Sequence, residues 1–318
     1  MSEKNELDGN KKGLWRLPRN VWAVGFTSFF MDISSEMVIN LLPLFLANIL
    51  GVKTSIIGLI DGIAESTASI LKLFSGWLSD KMRGRKWLAV IGYGLSALSK
   101  PFFYIANSWG IVAGVRWADR VGKGIRTAPR DALVADSVDQ KTRGLAFGFH
   151  RAMDTAGAML GILIAALVVW LSQKNTGELG LPTFKTIVLF SLLPAFLAVL
   201  SLAVGAKETA INSQRKAPKF SFKNLGKPFI AFLIIVSIFT LGNSSDSFLI
   251  LRAQNLGVSV LGILIMLAVF NLFYTLVSTP AGALSDKIGR RQLIIGGWLV
   301  YAVIYLGFAT AQTQWQIW

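Results

Sequence analysis

An all-α integral membrane protein with about nine transmembrane helices, in two pseudo-symmetric six-helix halves of which the second is incomplete, is the fold class this sequence predicts. Three observations predict it. The 318 residues are 53% hydrophobic and only 15% charged, too little charge for a water-soluble domain of this length. The apolar residues gather in blocks of bilayer-spanning length, about 20 residues each. The chain also repeats itself at an offset of 206 positions.

The apolar blocks place helices at 21–49, 55–79, 87–106, 109–125, 146–171, 184–205, 228–250, 258–284 and 292–311. A membrane barrel would instead alternate polar and apolar residues over about ten positions, and these runs do not. The polar N-terminal segment, 1–20, lacks an apolar stretch followed by a cleavage site, so the first membrane helix is expected to target the chain.

Direction follows from the loops. Lys and Arg crowd the N-terminus (Lys4, Lys11, Lys12, Arg16, Arg19) and every even loop, such as Lys81, Arg83, Arg85 and Lys86 in the second and Lys287, Arg290 and Arg291 in the eighth. The odd loops hold only Lys53, Lys174, Lys185 and Arg252. The positive-inside rule makes the N-terminus and the even loops cytoplasmic, in a multi-pass protein of the inner membrane. The same distribution disposes of a nucleic-acid reading of the +15 net charge, because the cations are not gathered on one face or tail. With no cysteine there is no disulfide and no thiolate metal site, and no cofactor or metal is expected.

Leu50-Gly51-Val52 recurs as Leu256-Gly257-Val258, and Gly76 and Asp80 recur as Gly282 and Asp286, all offset by 206. Ser34-Ser35-Glu36 recurs as Ser244-Ser245-Asp246 at an offset of 210, and Trp109 has its counterpart in Trp315. The repeat implies a first half at 21–205, a basic cytoplasmic linker at 206–227 and a partial second half at 228–318. By that register the chain stops as a tenth helix begins, and a fragment of a twelve-helix protein is the expectation.

Between the eighth and ninth helices stands Gly282-Ala-Leu-Ser-Asp286-Lys287-Ile-Gly289-Arg290-Arg291, and between the second and third Gly76-Trp-Leu-Ser-Asp80-Lys81-Met-Arg-Gly84-Arg85-Lys86, with one residue inserted before Gly84. Glycine lets helices approach and turn sharply, a helix-end Asp accepts hydrogen bonds or pairs with Arg, and the cations hold the loop at an anionic leaflet. This loop resembles the signature of the major facilitator superfamily, and the resemblance covers essentially the whole chain. It implies a transporter fold and a conformational latch at Gly76, Asp80, Arg85, Lys86, Gly282, Asp286, Gly289, Arg290 and Arg291, with Asp80 meeting an eleventh helix. A topogenic loop alone would explain the basic residues but not the Gly–Asp–Gly spacing.

Arg116-Trp-Ala-Asp119-Arg120-Val-Gly122-Lys123-Gly124-Ile-Arg126 in the fourth helix resembles the superfamily's Arg motif. Arg116 and Arg120, four apart, share a helix face with Asp119 beside them. Gly122-Lys123-Gly124 lacks the spacing of a phosphate-binding loop. In the fifth helix Gly157 and Gly161 permit close contact, while Ile162 stands where the superfamily's antiporter motif has Pro, which argues against export by antiport. His150, the only histidine, is expected to be a loop or capping residue.

Intramembrane carboxylates complete the candidates: Asp32 and Glu36, one turn apart, Asp61 and Glu65 likewise, then Asp154 and Asp246. Such groups are costly in lipid, so they line a polar interior or pair with Arg116, Arg120, Lys72 and Lys100. They are either structural ion pairs or proton and substrate sites, with the repeat-related Glu36 and Asp246 first in line for coupling. Three functions remain: a proton-coupled secondary transporter of a small solute acting as a monomer, a non-transporting scaffold or sensor, and a membrane enzyme. The last finds no HExxH, no Gly-x-Ser-x-Gly and no cysteine nucleophile, so no enzymatic activity is expected. Sugars, amphiphilic drugs, organic anions and peptides all stay open as substrates.

Overall fold

A computed structural model describes residues 17–82, 84–140, 142–173, 177–209 and 226–318, with the side chains of 278–283, 285–287 and 290 undescribed. Among these residues every element is helical. The helices are α1 (Arg19–Ile39), α2 (Leu42–Leu44), α3 (Thr54–Met82), α4 (Lys86–Ser99), α5 (Pro101–Ile105), α6 (Trp109–Asp136), α7 (Arg143–Gln173), α8 (Leu181–Gly205), α9 (Lys227–Leu241), α10 (Asp246–Asn255), α11 (Val260–Ile288), α12 (Arg290–Thr310) and α13 (Gln314–Ile317).

Seven stretches are long and apolar enough to cross a membrane: Arg19–Ile49, Lys86–Ile105, Arg143–Gln173, Leu181–Gly205, Lys227–Asn255, Val260–Val277 and Arg291–Thr310. The two further long helices, α3 and α6, fall outside that set because they carry the charges. On α6 the buried residues include Arg116, Asp119, Arg120 and Arg126. A helix that hides charge and shows apolar residues outward is packed for lipid outside and a polar interior.

Four sequence expectations are corrected. The fourth helix runs to Asp136 rather than 125, passing through Pro129. The first ends its regular turns at Ile39 and continues through α2 into a π-helical Phe45–Ile49, since Pro43 supplies no N–H to the helix ladder. The seventh is two helices: α9 stops at Gly242 and α10 starts from Ser245, whose hydroxyl caps Ser247 N at 3.2 Å. Pro101 divides the third helix at Lys100.

Among α1 to α8, α1 lies against α7 and α8, while α6 is sandwiched between α3 and α4. Glycine sets these distances. A Cβ on Gly161 would sit 2.5 Å from the Ile33 carbonyl oxygen, and one on Gly122 would sit 2.6 Å from that of Gly92. Gly124 makes the same close approach to Ala68 on α3, where a Cβ would come within 2.9 Å of the carbonyl. Backbones that near each other gain dispersion contact and polar attraction in a setting where burial in lipid favours neither packed nor separated helices.

The repeat has a local structural counterpart. Gly51 and Gly257 both take positive φ, 62° and 88°, and in each case the next residue's N–H returns to the preceding helix (Val52 to Leu46 O at 2.9 Å, Val258 to Ala253 O at 3.1 Å). Only glycine adopts that turn without strain. Trp109 and Trp315 likewise both follow a capped helix start, at Ser108 and Thr313.

Candidate functional site

Charges predicted one by one converge on a single network. Arg116 on α6 faces α3, with Nε 3.4 Å from Asp61 and Nη2 3.4 Å from Glu65. Arg120, one turn on, lies 3.2 Å from Glu65 and 3.6 Å from Asp119. Helical spacing explains the pairing: 61/65 and 116/120 are both i,i+4 pairs, so two acids and two cations stack opposite one another where α3 and α6 touch. The Asp61, Arg116, Arg120 and Asp119 side chains are buried, whereas Glu65 is 52% exposed.

Asp61 also reaches across the molecule. It accepts a hydrogen bond from Ser245 Oγ at 2.9 Å and another from Ser247 Oγ, both at the start of α10. One carboxylate therefore ties the charged face of α6 to the interrupted seventh helix. Asp246, between those serines, has no cation within 4.0 Å among the described residues.

The remaining acids part company. Asp32 and Glu36 form no ion pair among the described residues; Glu36 instead accepts from Asn40 Nδ2 at 2.9 Å. Asp154 lies 3.6 Å from His150 Nε2 and 4.0 Å from Arg151. His150 is no cap or loop residue: it is buried within α7 and bonded to Ser28 Oγ at 2.9 Å. Lys72 and Lys100 are two of the cations the sequence offers as partners if the acids pair. Lys72 has no ion pair among the described residues, and Lys100, 2% exposed, donates to Ser34 Oγ at 2.5 Å and Ser35 Oγ at 3.0 Å.

Sequence reasoning passed over the partners of these groups. Arg126 donates to Ser96 Oγ at 2.5 Å with its guanidinium over the Tyr93 ring at 4.5 Å, and Arg130 reaches Ser28 at 3.4 Å. The signal for Arg126 was its register, six positions after Arg120 on a helix read as ending at 125. The neutral partners gave none, since a serine in an apolar run is unremarkable.

At the latch, Arg85 pairs with Asp80 at 3.1 Å and with Asp136, at the end of α6, at 2.6 Å. Gly76 faces α6, where a Cβ would lie 3.3 Å from Ala128 Cβ. The Arg85 and Lys86 backbone N–H groups, at the start of α4, donate to Glu208 at 2.7 and 3.1 Å, an anion at a helix N-terminus. In the second copy Gly289 turns the chain at φ 90° and Arg291 is exposed. The Gly282, Asp286 and Arg290 side chains lie outside the described residues, as does most of the linker, 210–225.

Buried charge between helices, a broken helix beside it and a glycine-hinged basic loop form a transporter's equipment, and comparison with known proteins agrees. The family model of the Major Facilitator Superfamily matches residues 24–318. An uncharacterised MFS-type transporter of Methanocaldococcus jannaschii is 38% identical over 315 residues, 97% of this chain and 76% of the relative. The quinolone resistance protein NorA of Staphylococcus aureus is 23% identical over 231 residues, 71% of this chain and 56% of NorA. Among solved structures, a POT family transporter in complex with 5-aminolevulinic acid superposes with a TM-score of 0.68 at 14% identity, over 96% of this chain and 81% of that one. A bacterial homologue of the lysosomal transporter Spinster, inward-facing and unoccupied, does so with a TM-score of 0.61 at 16% identity, over 86% and 64%. This multi-pass membrane protein belongs to the Major Facilitator Superfamily.

Proposed function

We propose that the chain is a secondary active transporter of a small solute, coupled to protons, in which two pseudo-symmetric halves rock about a polar interior. In this reading α3 and α6 cross the membrane with the seven apolar stretches, making nine crossings, and the N-terminus is cytoplasmic. The observation that carries it is Asp61, paired with Arg116 and at the same time accepting from Ser245 and Ser247. A carboxylate that holds two halves together while ionised, and lets go when protonated or when a solute competes for its partners, couples charge movement to opening. Asp61 lies toward the outer end of α3 and Ser245 toward the outer end of the seventh helix, so the contact closes the outer face. Asp32, Glu36 and Asp246, without cations among the described residues, are the further proton candidates, and the repeat-related Glu36 and Asp246 keep their place as the first of these to test.

The test uses proteoliposomes with an imposed pH gradient, an internal pH dye and a panel of four solute classes: fluoroquinolones, 5-aminolevulinic acid with dipeptides, organic anions and sugars. Proton movement evoked by one class and lost in Asp61→Asn supports the reading. If no class moves protons or accumulates, the transport reading fails and a scaffold or sensor role replaces it.

A further inference from the structure

A concavity lies away from the charged network of α3 and α6. It is a groove of about 510 Å³ on the membrane-facing side of α1 and α8. Ala23 and Gly205 form its floor: a Cβ on Gly205 would come within 2.9 Å of Ala23 Cβ, so the two helices meet there and their larger side chains stand up on either side. One wall is an aromatic ladder, Trp22, Phe26 and Phe30, with ring centroids 5.9 and 6.3 Å apart. The other is Leu200 and Val204. From Arg19 to Phe30 is eleven residues, roughly 16 Å of helix, which is about the hydrocarbon depth of one leaflet.

Arg19 closes the end of the groove at the membrane surface. Its Nε and Nη2 donate to the Gly205 and Val204 carbonyls at 2.7 and 2.8 Å, so the guanidinium is held over the last turn of α8. Its Nη1 has no partner among the described residues, and the exposed Lys207 side chain follows two residues after Gly205. A slot for an acyl chain thus ends at headgroup depth in a guanidinium fixed by its Nε and Nη2 bonds, with Nη1 left to donate to a phosphate oxygen.

We infer that the α1–α8 groove is a binding site for an anionic glycerophospholipid, its acyl chain lying along Trp22, Phe26 and Phe30 and its phosphate on Arg19. The charge selects the occupant. A zwitterionic lipid fills the slot equally well but brings its own cation to an already cationic rim. The inference rests on the membrane-spanning reading and is independent of transport, so a chain that moves no solute still retains the lipid.

Native mass spectrometry of the detergent-purified, delipidated chain, titrated with phosphatidylglycerol and with phosphatidylcholine, tests it. The first phosphatidylglycerol is expected to bind about fivefold or more tightly than phosphatidylcholine, the advantage one cation confers at an anionic headgroup. Arg19→Gln is expected to abolish that preference. Because Arg19 also holds the end of α8, Leu200→Trp provides a second arm: it fills the slot without touching a polar bond and is expected to weaken both lipids. Equal affinity for the two lipids overturns the inference. So does a preference that survives both variants, or diazirine-phosphatidylglycerol labelling that falls away from Phe26–Phe30 and 197–204.

Discussion

Replacing Asp61 by Asn keeps the side chain's shape and removes its charge. Arg116 lies on the same half as Asp61, so that pairing is common to the open and closed states and drops out of the balance between them. What differs is the pair of bonds from Ser245 and Ser247. A hydrogen bond to a charged acceptor is worth about 1.5–3 kcal/mol and a neutral one about 0.5–1.5, so each bond weakens by about 1 kcal/mol. Outer closure then loses about 2 kcal/mol, a shift of about 30-fold. The chain has no cysteine, so Lys53→Cys and Asn255→Cys, both at exposed positions beside the closed face, give one defined spin-label pair. In nanodiscs, double electron–electron resonance is expected to show a longer-distance population rising in Asp61→Asn. An unchanged distance distribution in a folded variant would refute the gating role of Asp61.

Other expectations follow from the same geometry. Gly161→Leu drives a side chain into the Ile33 carbonyl, and even Gly161→Ala is expected to cost about 1–3 kcal/mol as overpacking, while Gly114→Ala, which meets nothing within 4 Å, leaves the detergent melting temperature unchanged or higher. Arg116→Gln strands Asp61 and is expected to destabilise by about 3–5 kcal/mol, with much of that recovered in the double variant Asp61→Asn/Arg116→Gln; additive losses in thermal melts would show that the two do not act as a pair. Glu36→Gln is expected to abolish proton-coupled flux with expression intact, and unchanged flux removes Glu36 from the coupling residues. Glu208→Gln weakens the anion held at the start of α4 and is expected to lower stability by about 0.5–1 kcal/mol, read as a small fall in melting temperature.

The family, the helical membrane class and the positions of most helices were legible in the sequence, because lipid imposes its demands residue by residue. A spanning helix needs about 20 apolar residues wherever it goes, and Gly51 and Gly257 announce a positive-φ turn without reference to the rest of the fold. The i,i+4 spacing of Asp61/Glu65 and Arg116/Arg120 likewise placed each pair on one helix face. Which faces meet was a different matter. That Arg116 answers Asp61 while Lys100 answers two serines depends on α6 being wedged between α3 and α4, and on glycines letting those backbones close in. The break at Gly242–Ser245 escaped notice for the same reason. The partners of that short polar segment lie far away in the chain: Asn243 and Ser244 meet Tyr301 and Tyr305 of α12, and Ser245 meets Asp61 of α3. Local chemistry chose the helices, and the long-range approach of carboxylate, guanidinium and serine, separated by 55 to 186 positions in the chain, was decided only by packing.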